Sequence, residues 1–200
     1  MLRLKLRPPV LCPLLTLLLA APAGLARADQ VRVGGTVSIL PVGQLHASAE
    51  GVGSDSVDAA TAVGLGGLVE VPLTNNLAVG LAPRLLLNVK GEDGDESARE
   101  LDLAVRLIGS VPVGGVTELY GFLAPAYSIL FIPDWPDGVA DPAGLALGLG
   151  GGASFDLSPQ FRLGGEIGYQ LGWQQVTEQS DAIELETDFL HIGVTAMARF

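Results

Sequence analysis

The chain has 200 residues with 22 Asp+Glu against 11 Lys+Arg, yet 48% of it is hydrophobic and its mean hydropathy is +0.44. A net charge of −11 argues against a nucleic-acid partner, which requires a basic face, and a single cysteine excludes a disulfide framework. Beyond the N-terminal segment there is no apolar run long enough for a membrane helix. An acidic chain that is also this apolar points to membrane-crossing strands, in which only every second residue faces lipid.

The N-terminus comes first. Arg3, Lys5 and Arg7 precede the apolar run Val10 to Ala20, and Ala26-Arg27-Ala28 supplies the small residues of a cleavage site. This pattern predicts a secretory signal peptide over 1–28, cleaved after Ala28, leaving residues 29–200 as one barrel domain. The run is too short to span a bilayer and contains Pro13. Cys12 would leave with the peptide. Pro9, Val10 and Leu11 before it lack the small residue found next to a lipid-modified cysteine, so a lipoprotein is not expected. Arg3, Lys5, Arg7 and Arg27 depart as well, which makes the mature chain more acidic still.

Alternation governs the rest. Leu77, Val79, Leu81, Leu85 and Leu87 fall on one face of a strand, and Ala78, Gly80, Ala82, Arg84 and Asn88 on the other. Leu101, Leu103, Val105 and Leu107 alternate with Asp102, Ala104, Arg106 and Ile108. Phe161, Leu163, Gly165, Ile167, Tyr169, Leu171 and Trp173 alternate with Arg162, Glu166 and Gln170. A period of two over this length is a strand signal, and the length suits a tilted crossing of a bilayer. In chain order the pattern predicts strands at 30–45, 59–73, 77–90, 101–113, 116–132, 145–157, 161–176 and 187–200. They form an eight-stranded antiparallel up-and-down transmembrane β-barrel. The short turns are Thr74 to Asn76, Gly114-Gly115 and Ser158 to Gln160. Long loops are expected near 46–58, 91–100, 133–144 and 177–186. Pro83 and Pro125 fall within strands and require bulges there, since a closed barrel has no edge, whereas Pro72 and Pro112 abut turns. Tyr120, Phe122 and Leu130 would face inward.

The last strand ends in "HIGVTAMARF", with Leu190, Ile192, Val194, Ala196, Ala198 and Phe200 on one face. Together with the hairpins "VEVPLTNNLAVGL" and "FDLSPQFRLGGEIGY" it resembles the small eight-stranded outer-membrane barrel family (OmpA/OmpX-like) of Gram-negative bacteria. The resemblance implies a place in the cell outer membrane, with lipid and lipopolysaccharide around the wall. It also implies that Phe200 and the alternate apolar residues act as the signal read by the barrel-assembly machinery. A monomer is expected.

Inward positions hold Arg32, Glu70, Arg84, Asp102, Arg106, Asp156, Arg162, Glu166, His191 and Arg199, with Glu118 near a turn. An eight-stranded barrel has an interior that side chains just fill, and buried charges must pair or meet water. Pairs Arg162–Glu166 and Arg106–Asp102 along their own strands are expected. Gly64, Gly66, Gly148, Gly150 and Gly152 would make room for the arginines. The lumen is read as a plug of paired charges, with a narrow ion path, a small porin-like channel, as the alternative.

Nothing in the sequence supports an enzyme, a cofactor or a metal centre. His46, Ser48 and Glu50 lie together where the first strand meets its loop, but in no known catalytic spacing. His191 would point into the lumen. Most of the 22 acids lie in the long loops, including "GEDGDESARE" and "TEQSDAIELETD". The "DGDE" fragment lacks the ligand spacing of a calcium loop, so weak divalent-cation binding near lipopolysaccharide phosphates is the most these loops suggest. "GLGGL" and "LGLGGGAS" lack the lysine of a phosphate loop. A secreted lipocalin-like barrel would turn the same apolar rows inward around a ligand. The uncharged outer rows and Phe200 favour lipid, and with it a structural or surface-interaction role.

Overall fold

The structure, a computed structural model, describes residues 31–49, 53–91, 97–133, 140–178 and 181–200. The signal-peptide segment, Cys12 and Glu50 lie outside the described residues. Nine strands are present: β1 (Arg32–Ala49), β2 (Gly53–Asp58), β3 (Ala62–Pro72), β4 (Leu77–Val89), β5 (Ala98–Val113), β6 (Thr117–Phe131), β7 (Ala143–Asp156), β8 (Phe161–Glu178) and β9 (Asp181–Arg199). Each pairs antiparallel with its neighbours. β2 and β3 pair with successive halves of β1, as one wall position in two pieces. β1 also pairs with β9, from Arg32↔Arg199 up to Ala49↔Ile183, and this closes an eight-stranded barrel.

The short turns follow their side chains. Thr74 Oγ1 accepts from the backbone N–H of Asn76 (3.2 Å) and Leu77 (3.1 Å), and Ser158 Oγ accepts from those of Gln160 (3.2 Å) and Phe161 (3.1 Å). Gly114 takes φ 78°, where a side chain would be strained.

Three expectations are corrected. The second strand begins later than 59, as β3 from Ala62, with Ala59 making only an isolated bridge to Gly91, and a separate short strand, β2, precedes it. The segments 46–58 and 177–186 are not long loops. β1 with β2 and β8 with β9 continue as paired strands through most of both. The physical reason lies in the side-chain pattern. Above the lipid band the outer row turns polar (His46, Ser48, Glu184, Glu186), while the inner row turns apolar (Leu45, Ala47, Leu185). The backbone ladder is indifferent to that inversion. Finally, neither Pro83 nor Pro125 causes a bulge. Pro83↔Leu103 and Pro125↔Leu147 are in register with their flanking pairs. On the opposite side of each proline pairing lapses locally and resumes without a shift. A missing N–H removes a bond toward one neighbour and needs no extra residue. The bulges lie elsewhere, between Ile39 and Val42 around Leu40 and Pro41, and at Asn88 with φ 65°.

The outer wall is an apolar band. Val37, Ile39, Leu65, Leu81, Leu107, Leu123, Leu149, Ile167 and Val194 are all exposed. Tyr127, Phe131, Tyr169 and Trp173 lie toward one end, and Phe155, Phe161 and Phe200 toward the other, as aromatic girdles do. Apolar rows outside and charges inside exclude the lipocalin orientation.

Candidate functional site: the lumen

The interior is arranged in layers along the barrel axis. The lowest, at the end of the short turns, is ionic. Arg162 donates to Asp156 (Nε to Oδ1, 2.7 Å) and to Glu118 (Nη1 to Oε2, 2.8 Å). Arg199 donates to the same Asp156 oxygen at 2.6 Å. Arg32 lies 3.6 Å from Glu70 and 3.8 Å from Glu118. Strand ends β1, β3, β6, β7, β8 and β9 all contribute, because the residue next to each turn points inward.

The middle layer centres on Glu166. Its Oε2 accepts from Arg106 Nη2 at 3.0 Å and from the Tyr120 hydroxyl at 3.1 Å, and Oε1 lies 3.7 Å from His191 Nε2. Arg106 stacks over Phe122, its guanidinium carbon 3.8 Å from the ring centroid, and Phe122 faces His191 at 6.1 Å. Next, Asp102 Oδ2 accepts from Arg84 Nη2 (2.9 Å) and Gln170 Nε2 (3.0 Å). Glu100 Oε1 accepts from Ser128 Oγ at 2.8 Å and Gln170 Nε2 at 3.4 Å, and Gln174 Nε2 donates to Ser128 at 3.1 Å.

The fourth layer is mainly apolar, although the buried Glu100 pairs with both Leu86 and Leu130 and the buried Thr187 lies on the same inward row as Phe189. Leu40, Leu86, Val89, Ala98, Leu130 and Phe189 pack together, with Leu40, Leu86 and Phe189 at 0% exposure. Two cavities lie below it, about 60 Å³ and 10 Å³, each with room for no more than a few waters.

These contacts redraw the expected pairing. Arg162 does not meet Glu166, and Arg106 does not meet Asp102. Arg106 crosses the lumen to Glu166, and Arg84 reaches Asp102 on the neighbouring strand. Four residues along one strand separate side chains by roughly 13 Å at 3.3 Å per residue, whereas neighbouring and facing walls are close in a narrow barrel. The glycines are corrected as well. A Cβ on Gly150 would meet Phe122 Cζ at 2.7 Å and one on Gly152 the Tyr120 hydroxyl at 2.8 Å, so the β7 glycines admit aromatic rings rather than arginines. Gly64 does border Arg84, with Leu86 and Ser38 nearer.

Sequence reasoning placed Gln170 on the inner face of its strand but missed Glu100, Ser128 and Gln174 as lumen residues. Glu100 was expected in an acidic loop but is fully buried, because β5 begins at Ala98. Its signal was the alternation of Ala98, Glu100, Asp102 and Ala104 with Arg99, Leu101 and Leu103. Phe200 is 72% exposed, and its backbone N–H donates to Val31 at 3.0 Å. His46 and Ser48 alternate to the outer side of β1, beside Glu184 and Glu186 in a shallow trough of about 400 Å³. Among the described residues, no group of three His, Cys, Asp or Glu side chains is placed to hold a metal ion.

A closed antiparallel barrel, apolar outside and charged inside, has one common setting. The profile described as "Outer membrane protein beta-barrel domain" matches residues 12–200. The chain belongs to the outer-membrane β-barrel domain family. No curated protein matches the sequence. Solved outer-membrane barrels share the fold. OprG of Pseudomonas aeruginosa aligns over 88% of this chain and 97% of its own, with a TM-score of 0.60 at 16% identity. AlkL in lipid bilayers aligns over 90% and 94%, with 0.57 at 18% identity. Neisserial surface protein A aligns over 85% and 97%, with 0.55 at 14% identity. As an outer-membrane barrel the chain carries an apolar band on its outer wall, and the layered lumen is its own feature to explain.

Proposed function

We propose that this outer-membrane barrel is a closed scaffold with a structural or surface-directed role. Its lumen is plugged and it performs no catalysis. The apolar layer of Leu40, Leu86, Leu130 and Phe189 carries this reading. An ion entering from outside would have to shed its water among tightly packed, mostly aliphatic side chains, at a high cost. The ion-paired layers beneath make a second barrier, since their guanidinium and carboxylate groups are held to one another across a narrow lumen, even though single atoms such as Asp102 Oδ1 and Arg106 Nε have no partner. Membrane lipid and lipopolysaccharide would contact the band, and the barrel-assembly machinery would read the β9 end. The acidic outer segments would hold divalent cations weakly, and the barrel would act as a monomer. Planar-bilayer recording tests the reading. The purified protein should give no steady single-channel current, and a stable, salt-dependent current would replace the scaffold with a small channel.

A further inference from the structure

Above the apolar layer, the inverted pattern of the wall leaves a cup open to the outside. Leu45 and Ala47 of β1, Val57 of β2, Val89, Ala98 and Leu130 turn inward around a cavity of about 340 Å³. That volume lies in the range of small-molecule sites, roughly 300–1,000 Å³. The cup ends blind, because Val89, Ala98 and Leu130 on its wall belong to the packed layer that continues to Leu40, Leu86 and Phe189. All six are aliphatic groups, brought together from five strands, and an apolar concavity of this kind facing water is itself a mark of a binding site.

We propose that the cup binds an alkyl amphiphile with a cationic head, the tail on the apolar floor and the head beside Asp55. The inner end favours an alkyl tail, since apart from the Thr187 hydroxyl its lining is aliphatic and a charged group there would lose its water. The head is selected by charge. Asp55 lies on the same face of β2 as Val57 and lines the cup. Its Oδ1 accepts from the Ser56 N–H at 2.9 Å, and the side chain remains exposed to a ligand. Glu186 also borders the cup, and Asp58, Glu184 and Asp188 stand on the same strands. Lys90 and Arg99 do not line it, and the one basic ring that does is His46 at its rim. The local field therefore favours a cation and repels an anion. The proposal uses the closed floor of the preceding reading, but its test measures binding rather than current, so either can fail alone.

The test uses the full mature protein in zwitterionic lipid nanodiscs, with methyl NMR of Leu45, Leu130 and Leu185. The probe is octyltrimethylammonium, with tetramethylammonium and octyl sulfate as controls and empty nanodiscs to subtract partitioning. Saturable shifts are expected with octyltrimethylammonium, none with tetramethylammonium, and several-fold weaker binding of octyl sulfate. Ala47→Phe should fill the cup and weaken binding roughly tenfold or more, since each methylene left in water forfeits transfer energy. Asp55→Asn should keep the tail site but lose the preference for the cationic head. Shifts that never saturate, octyl sulfate binding as well as the cation, or a cup already occupied by the chain's own outer segments so that no probe shifts it, would each overturn the proposal. If Ala47→Phe fails to fold, Asp55→Asn still decides the head-group claim.

Discussion

Glu166 is the residue on which most of the lumen converges. Its carboxylate engages Arg106, Tyr120 and His191 from three other strands, and the Arg106 and Glu166 side chains are each only 6% exposed. Removing it leaves the Arg106 guanidinium over Phe122 without an anion. Breaking one side of such a buried pair costs roughly 3–5 kcal/mol. Glu166→Ala should therefore lower the urea midpoint of the folded barrel markedly. Adding Arg106→Ala should recover part of the loss, because the stranded charge goes with it. Adding Arg162→Ala should not, because Arg162 is bound to Asp156 and Glu118 instead. Recovery with Arg162→Ala and not with Arg106→Ala would contradict the geometry. This was the point at which the sequence misled: alternation assigns each charge to the lumen, but says nothing about which wall it meets across the gap.

At the scale of the element, β9 shows where strand logic was legible and where it was not. From Leu190 to Phe200 an apolar outer row alternates with His191, Thr195 and Met197, and that row could be read directly from the sequence. From Ile183 to Phe189 the alternation is equally strict, but its sign is reversed, and the acidic outer row reads as a solvated loop. Period two marks the strand, and only the sign of the outer row marks the lipid boundary. β2 escaped for the same reason. The β9 terminus also gives a prediction. Phe200 lies at the membrane edge, where a charge on the lipid face costs only about 0–1 kcal/mol. Met197 is buried opposite Arg162, and Met197→Asp would place its carboxylate in the ionic layer. If Phe200 belongs to the assembly signal, Phe200→Asp should cut the yield of heat-modifiable barrel in cells far more than Met197→Asp. That loss would exceed its effect on in-vitro unfolding. Equal cellular yields for the two variants would remove the signal role from Phe200.

The whole molecule places two dissimilar seals in series, and this leads to the last prediction. The upper seal is the apolar layer, in which Phe189 is the largest fully buried side chain. The lower is the charged middle layer around Arg106 and Glu166. Barriers in series are set by the higher one that remains, so opening either alone should leave the barrel closed. Phe189→Ala leaves a cavity between Leu40, Leu86 and Leu130. It should destabilise the barrel by roughly 3–5 kcal/mol, as other Phe truncations do in packed interiors, yet pass no current above the layer below. Arg106→Ala with Glu166→Ala should empty the middle layer without an unpaired charge and still be blocked by the apolar floor. The triple variant, Phe189→Ala with Arg106→Ala and Glu166→Ala, removes both of these barriers but keeps Arg84 on Asp102 and Arg162 on Asp156 and Glu118, so it too should stay closed in a planar bilayer, provided it refolds to a heat-modifiable band. Current through Phe189→Ala alone would mean that the charged layer is permeable. Current through the Arg106→Ala, Glu166→Ala double variant would mean that the apolar floor is.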